Sequence, residues 1–259
     1  MINKTIILVL TLITQLIYSQ EKATIIANYT YINKGLNEVS IAKLYIKGSE
    51  SLTVFYKIDS LSNKNNFDDE ESFNINIDGN DKIGKQVYKN LNERKIIFRD
   101  VYSKEGKLRP CIVEEKTPNF VWGFGHGVEV KKIGKYVCNL AKLKFRGREY
   151  EVWFTTKIPI IHGPWKFYGL PGLIIEMKSI DGNIHFLLNS IKESNNILDY
   201  SIVKPNNGDK ILFKDYITYK NEAVNDFIKK LQSTLPRGAK IKVNSNEDYN
   251  IEKVFEEKN

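Results

Sequence analysis

Short runs of alternating apolar and polar residues dominate this chain, and a period of two marks a strand with one buried face. Residues 23–33 (ATIIANYTYIN), 51–58 (SLTVFYKI), 73–78 (FNINID), 94–102 (RKIIFRDVY) and 110–116 (PCIVEEK) are rich in β-branched and aromatic residues and end in Gly, Asn, Asp, Ser or Lys clusters. Each therefore predicts a strand. Two hairpins stand out. Residues 135–145 and 149–155 flank Arg146, Gly147 and Arg148, while 173–179 and 184–190 flank Asp181 and Gly182, a dipeptide suited to the positive φ angles of a tight turn. Turns this short join antiparallel neighbours. The polar, acidic stretch 60–72 reads as a loop, since strand-type sequence resumes at once.

The period changes near the C-terminus. Tyr219, Ala223, Phe227, Ile228 and Leu231 recur at spacings of three and four, which predicts an amphipathic helix over 218–233, capped by Thr218 and ended by Pro236 and Gly238. Such a helix would cover one face or open end of the sheet. The charged residues 244–259 predict a frayed tail. At the other terminus, Lys4 precedes an apolar stretch from Ile6 to Ile17 that is short for a bilayer span, so residues 1–19 read as a signal peptide. Cleavage after Ser19 would leave 20–259 as one exported domain. The fold expected is mainly β: a single curved antiparallel sheet or half-open barrel with a C-terminal amphipathic helix.

Composition adds limits. A hydrophobic fraction of 42% excludes a disordered chain, and two cysteines in 259 residues exclude a disulfide-stapled miniprotein. The formal charge of +8 permits anionic partners. His126, His162 and His185 show no HExxH spacing, the glycines at 123, 125 and 127 lack the Gly-Lys-Ser/Thr of a P-loop, and no GxSxG elbow occurs. Glu114, Glu115, Glu149 and Glu151 are spaced as carboxylates commonly are along strands, which indicates no acid–base pair. No catalytic, cofactor-binding or metal-binding residue is assigned, and no cofactor is expected.

The densest information lies in residues 133–174. Gly169, Leu170, Pro171, Gly172, Leu173 and Ile174 spell GLPGLI, preceded in order by Gly134, Tyr136 and Cys138, then Gly147, Arg148 and Trp153, then Pro159, Gly163 and Pro164. On these residues the chain resembles the GLPGLI family of exported Bacteroidetes proteins. The resemblance implies export to the periplasm or outer-membrane periphery and frequent genomic association with TonB-dependent receptors, and it implies no catalytic residue. Leu140 stands where the family often has lysine, and Trp122–Gly127 is unusually glycine-rich.

Physically, Gly169, Pro171 and Gly172 suit a sharp corner feeding a buried strand. The competing reading is a rigid lip that presents Trp165, Phe167, Tyr168 and Leu170 to an apolar or peptide ligand. In an oxidising compartment Cys111 and Cys138 are a candidate disulfide, the alternative being two buried thiols. Lys142, Lys144, Arg146 and Arg148 form a candidate anion-binding face, with Lys142, Lys144 and Arg146 on one side of a strand by alternation; a plain solvated face is the alternative. The leading function is a non-catalytic accessory or binding protein of the envelope. A carrier of a lipid or other apolar ligand is second, and a hydrolase with an unrecognised site third. A nucleic-acid partner and a transmembrane span after signal cleavage are not expected.

Overall fold

Along the first strand, Ala27, Tyr29, Tyr31 and Asn33 turn inward while their neighbours stay half-exposed, and this alternation recurs across the sheet. The structure, a computed structural model, describes residues 25–36, 38–58, 81–105, 107–125, 129–193, 202–234 and 251–252. Its strands are β1 (Ile25–Asn33), β2 (Glu38–Lys47), β3 (Glu50–Lys57), β4 (Gln86–Asn90), β5 (Lys95–Lys104), β6 (Lys107–Lys116), β7 (Val130–Ile133), β8 (Tyr136–Phe145), β9 (Arg148–Thr155), β10 (Leu173–Ser179), β11 (Ile184–Glu193) and β12 (Asp209–Ile211), followed by helix α1 (Phe213–Thr234). The signal peptide, the loop 60–72 and the strand 73–78 expected from the sequence lie outside the described residues.

The strands form one twelve-stranded sheet in the order β12-β6-β5-β4-β3-β2-β1-β11-β10-β9-β8-β7. Every pairing is antiparallel except β12 with β6, so the sheet is mixed, and it is not closed into a barrel. It is nevertheless strongly curved. Glu115 of β6 and Arg146 after β8 form an ion pair of 2.6 Å although eight strands separate β6 from β8 in that order. The inner face carries the main core, including Tyr29, Leu44, Phe98, Val113, Leu143, Tyr150 and Phe186.

Both hairpins form where the turn chemistry placed them. The first turn is Arg146–Gly147, with φ of 44° and 80°, the doubly positive geometry that matches strand twist and that glycine accepts freely. Arg148 already belongs to β9. Helix α1 packs against β5 and β6 through Phe213, Tyr216 and Tyr219, and the Tyr216 hydroxyl donates to Asp100 at 2.5 Å. It begins five residues before Thr218, which therefore caps nothing; its hydroxyl donates to the Lys214 carbonyl at 3.1 Å within the helix.

The two faces of the sheet are finished differently. Over β2–β5 the outer face has its own small cluster of Tyr45, Leu52, Val54 and Tyr88, with Ile202 packed against it. Over β8–β11 the outward positions include the charged residues Lys142, Lys144, Glu149, Glu151 and Lys178, together with the half-buried Trp153 and His185.

Candidate functional site

The signature segment leaves β9 at Thr155, crosses the inner face and returns as β10 at Leu173. Trp165, Phe167 and Leu170 are 5%, 0% and 1% exposed, and Phe167 stacks on Phe120 while meeting Tyr150 and Trp165 edgewise or tilted. The lip reading is thereby corrected: these rings fill the concave side of the sheet and present nothing outward. Tyr168 is half-buried and its hydroxyl donates to the Pro118 carbonyl. Trp165 sits at φ 55°, an uncommon conformation for a bulky side chain, and its N–H is fixed by the Thr53 hydroxyl at 3.1 Å.

A buried lysine satisfies two of the segment's carbonyls. Lys89 of β4 donates to the carbonyls of Gly163 and Phe167 at 2.6 and 2.7 Å, and Gly169 N–H donates to the Ile161 carbonyl at 2.8 Å. Burial pulls Lys89 well below the ordinary lysine value. His162 lies beside this lysine, its Nε2 3.1 Å from the Gly48 carbonyl. Burial, and then the Lys89 charge, depress the imidazole to about 4. The folded protein thus keeps His162 neutral where the unfolded chain, near 6.5, would protonate. Stability contributed by the neutral ring is present above pH 6.5 and is lost as the pH falls towards 4, on the order of 3 kcal/mol in total. Urea titrations at pH 7 and pH 4.5 are expected to show a smaller acid loss in His162→Gln than in the wild type.

A second buried group of charges closes the segment from the other side. Glu115 of β6, Arg146 of the β8–β9 turn, Lys166 of the signature segment and Glu252 near the C-terminus all have side chains at most 7% exposed. The Lys166 ammonium donates to both Glu252 oxygens at 3.0 Å and pairs with Glu115, and Arg146 donates to Glu115 at 2.6 Å and to Glu252. Burial alone would raise Glu115, but Lys166 and Arg146 outweigh it and hold the carboxyl below its ordinary value. Phe98, Trp165 and Phe213 lie under the Lys166 ammonium at 4.4, 5.3 and 5.4 Å from the ring centres. The expected frayed tail is corrected at Ile251 and Glu252: Glu252 is 5% exposed and the Tyr150 hydroxyl donates to the Ile251 carbonyl at 2.9 Å.

On the outer face, Trp153 is the aromatic centre. Lys131 of β7 lies over its ring at 5.3 Å and pairs with Glu176 at 3.1 Å. Glu176 also meets Lys178 at 2.8 Å and His185 Nε2 at 3.0 Å. Burial would raise Glu176, yet Lys178 and Lys131 bring it below the usual carboxylate range, while burial, then Lys178, lower His185. This is a single half-buried tryptophan beside paired charges of both signs.

The remaining predicted residues separate by role. Gly134 and Gly147 are turn residues, Tyr136 and Cys138 open β8, and Pro159, Gly163 and Pro164 belong to the crossing segment. The anion-binding set is not one surface. Lys142 and Lys144 point outward but face Glu151 and Glu149 across the hairpin at 3.4 Å, whereas Arg146 turns into the buried cluster and Arg148 pairs with Asp181. Alternation placed Arg146 with the lysines; the turn's positive φ redirects it. Replacing Lys142 and Lys144 together by alanine is expected to cost under about 1 kcal/mol in urea titration, because exposed pairs contribute little. Cys111 in β6 and Cys138 in β8 are free, buried thiols in this structure, and burial pushes Cys111 up to about 12. Sequence reasoning missed Lys89, Lys166, Glu252 and the Glu176–His185 pair; a lysine between the tryptophan and phenylalanine of an apolar run was the available signal for Lys166.

Residues 145–176 match a family described as a protein of unknown function (Porph_ging), the same stretch that forms β9, the crossing segment and most of β10. No curated protein matches the chain in sequence. Among solved structures, that of PNGF-II is similar at 15% identity and a TM-score of 0.48 over 76% of this chain and 33% of that one. An uncharacterized conserved protein from Thermus thermophilus is similar at 9% identity and a TM-score of 0.37, over 79% of this chain and 99% of that one. The chain spans about a third of the length of the PNGF-II chain it matches. Among the described residues, no helix is long and apolar enough to cross a membrane, and no group of His, Cys, Asp and Glu is arranged to hold a metal.

Proposed function

We propose that the protein is an exported, non-catalytic accessory protein of the bacterial envelope that binds a partner protein through the outer face of β8–β11, a TonB-dependent receptor being the partner class in view. The observation that carries this reading is the filled inner face. A carrier needs an apolar hollow, and here Trp165, Phe167 and Leu170 of the chain's own signature segment occupy that position. On the outer face the half-buried Trp153 stands with Lys131, Lys178 and His185, one aromatic ring among charged and polar groups, which suits a protein-binding surface with an aromatic anchor.

Affinity capture from the native envelope tests it. Wild-type protein is expected to retain a defined membrane or periplasmic protein, and Trp153→Ala to lose at least tenfold in affinity, about 1.4 kcal/mol, with its urea midpoint little changed. Undiminished capture by Trp153→Ala would refute the outer-face assignment. Stoichiometric lipid recovered with the wild type would instead favour the carrier.

A further inference from the structure

The four-charge cluster is built unequally. Glu115, Arg146 and Lys166 belong to β6, the β8–β9 turn and the crossing segment, which the sheet holds in place, whereas Glu252 stands 86 residues beyond Lys166 and 106 beyond Arg146. Without Glu252, two cations would face one carboxylate among Phe98, Phe145, Trp165 and Phe213. A net buried charge in such walls is strongly disfavoured, so the position requires an anion whichever chain supplies it. Two details define the ligand. Both Glu252 oxygens are engaged, which specifies a carboxylate, and the preceding Ile251 packs against the main core while its carbonyl accepts from Tyr150. In addition, Arg146 Nε is buried and has no hydrogen-bond partner among the described residues, so the guanidinium has donor capacity that Glu252 does not use.

We propose that Arg146 and Lys166 form a carboxylate socket that recognises an apolar residue followed by an acidic one, and that Ile251–Glu252 occupies it in cis as a ligand that the same chemistry supplied in trans can replace. The socket lies on the inner side of the sheet and stands independently of the outer-face reading. Ile251 and Glu252 pair with no strand among the described residues and are held by the Tyr150 hydroxyl and by the two cations, contacts that the same groups on another segment can make.

Chemical rescue tests the socket on the full chain. Glu252→Ala removes Cγ and the carboxylate, and propionate, one carbon longer than the deleted fragment, carries the same carboxylate. The melting temperature of Glu252→Ala is expected to rise saturably with propionate, by several degrees more than with propionamide or with sodium chloride at matched ionic strength. A peptide of residues 248–255 is expected to give a larger rise at lower concentration. In Lys166→Met/Glu252→Ala both responses should vanish. Equal effects of propionate and propionamide, or rescue that persists without Lys166, would overturn the proposal. Should Glu252→Ala not fold in buffer, the same series is read as refolding yield from urea, where carboxylate-specific recovery supports the socket and its absence refutes it.

Discussion

Gly172→Ala is expected to abolish cooperative folding, although it adds a single methyl group. A Cβ at this position would stand 2.7 Å from the Thr155 carbonyl carbon and closer still to its oxygen, and 3.0 Å from the Thr156 Cα. All three atoms are backbone, in the place where the signature segment leaves β9 and re-enters as β10. Relief would require separating two paired strands, because Leu173 pairs with Thr155. The cost is expected to exceed about 4 kcal/mol, a large part of the roughly 5–15 kcal/mol that stabilises a typical domain. The comparison is Gly134→Ala, in a turn where nothing lies within 4 Å of the new methyl; there the positive φ alone should cost about 1 kcal/mol. Circular dichroism and urea titration distinguish them: a sharp, shifted transition for Gly134→Ala, and none for Gly172→Ala. A Gly172→Ala protein with a normal midpoint would mean that the segment does not run as described.

Lys166→Met is the second large effect. Methionine fills the space of the lysine stem between Phe98, Trp165 and Phe213, so packing is largely kept and the charge alone is lost. Glu115 and Glu252 then share Arg146, leaving one buried carboxylate uncompensated. Breaking such a pair costs about 3–5 kcal/mol, whereas removing both partners costs far less. Lys166→Met/Glu252→Gln should therefore recover more than half of the loss. Urea midpoints of the two single variants and the double variant form the cycle that measures this coupling. Strict additivity would show that the two residues do not interact.

Most of the sheet was legible because its strands are half-buried, and half-burial leaves a period of two. β1, β3, β5, β6 and both hairpins stand where the alternation and the Gly-containing turns put them. β2 was missed although Ala42, Leu44 and Ile46 alternate inward, because Glu38, Lys43 and Lys47 made the run read as polar. β4, β7 and β12 are five, four and three residues long, too short for periodicity to register. The helix was placed by its apolar spacing but begun too late: the turn containing Phe213 and Tyr216 is fixed by Phe98 and Asp100, which are far away in sequence.

The site was legible only as a string of unusual residues. Gly172 was correctly read as a corner, since glycine beside proline serves the backbone. The orientation of Trp165, Phe167 and Leu170 depends on the sheet curling around them, which no local pattern encodes. The buried ions were hidden for the same reason. Lys89, Lys166 and Glu252 look like ordinary surface charges until distant strands bring their partners within hydrogen-bonding distance.

Trp165, Phe167 and Leu170 hold residues 158–172 against the concave side of the sheet as part of its core, and not as a loop that opens for ligand. Native-state hydrogen exchange, resolved to single amides, separates these two states. The amides of Gly163 and Gly169, bonded to the carbonyls of Phe167 and Ile161 at 3.0 and 2.8 Å, are predicted to exchange as slowly as those of β10. Exchange of these two amides at the rate of exposed turns, with β10 still protected, would show instead a segment that opens independently of the sheet.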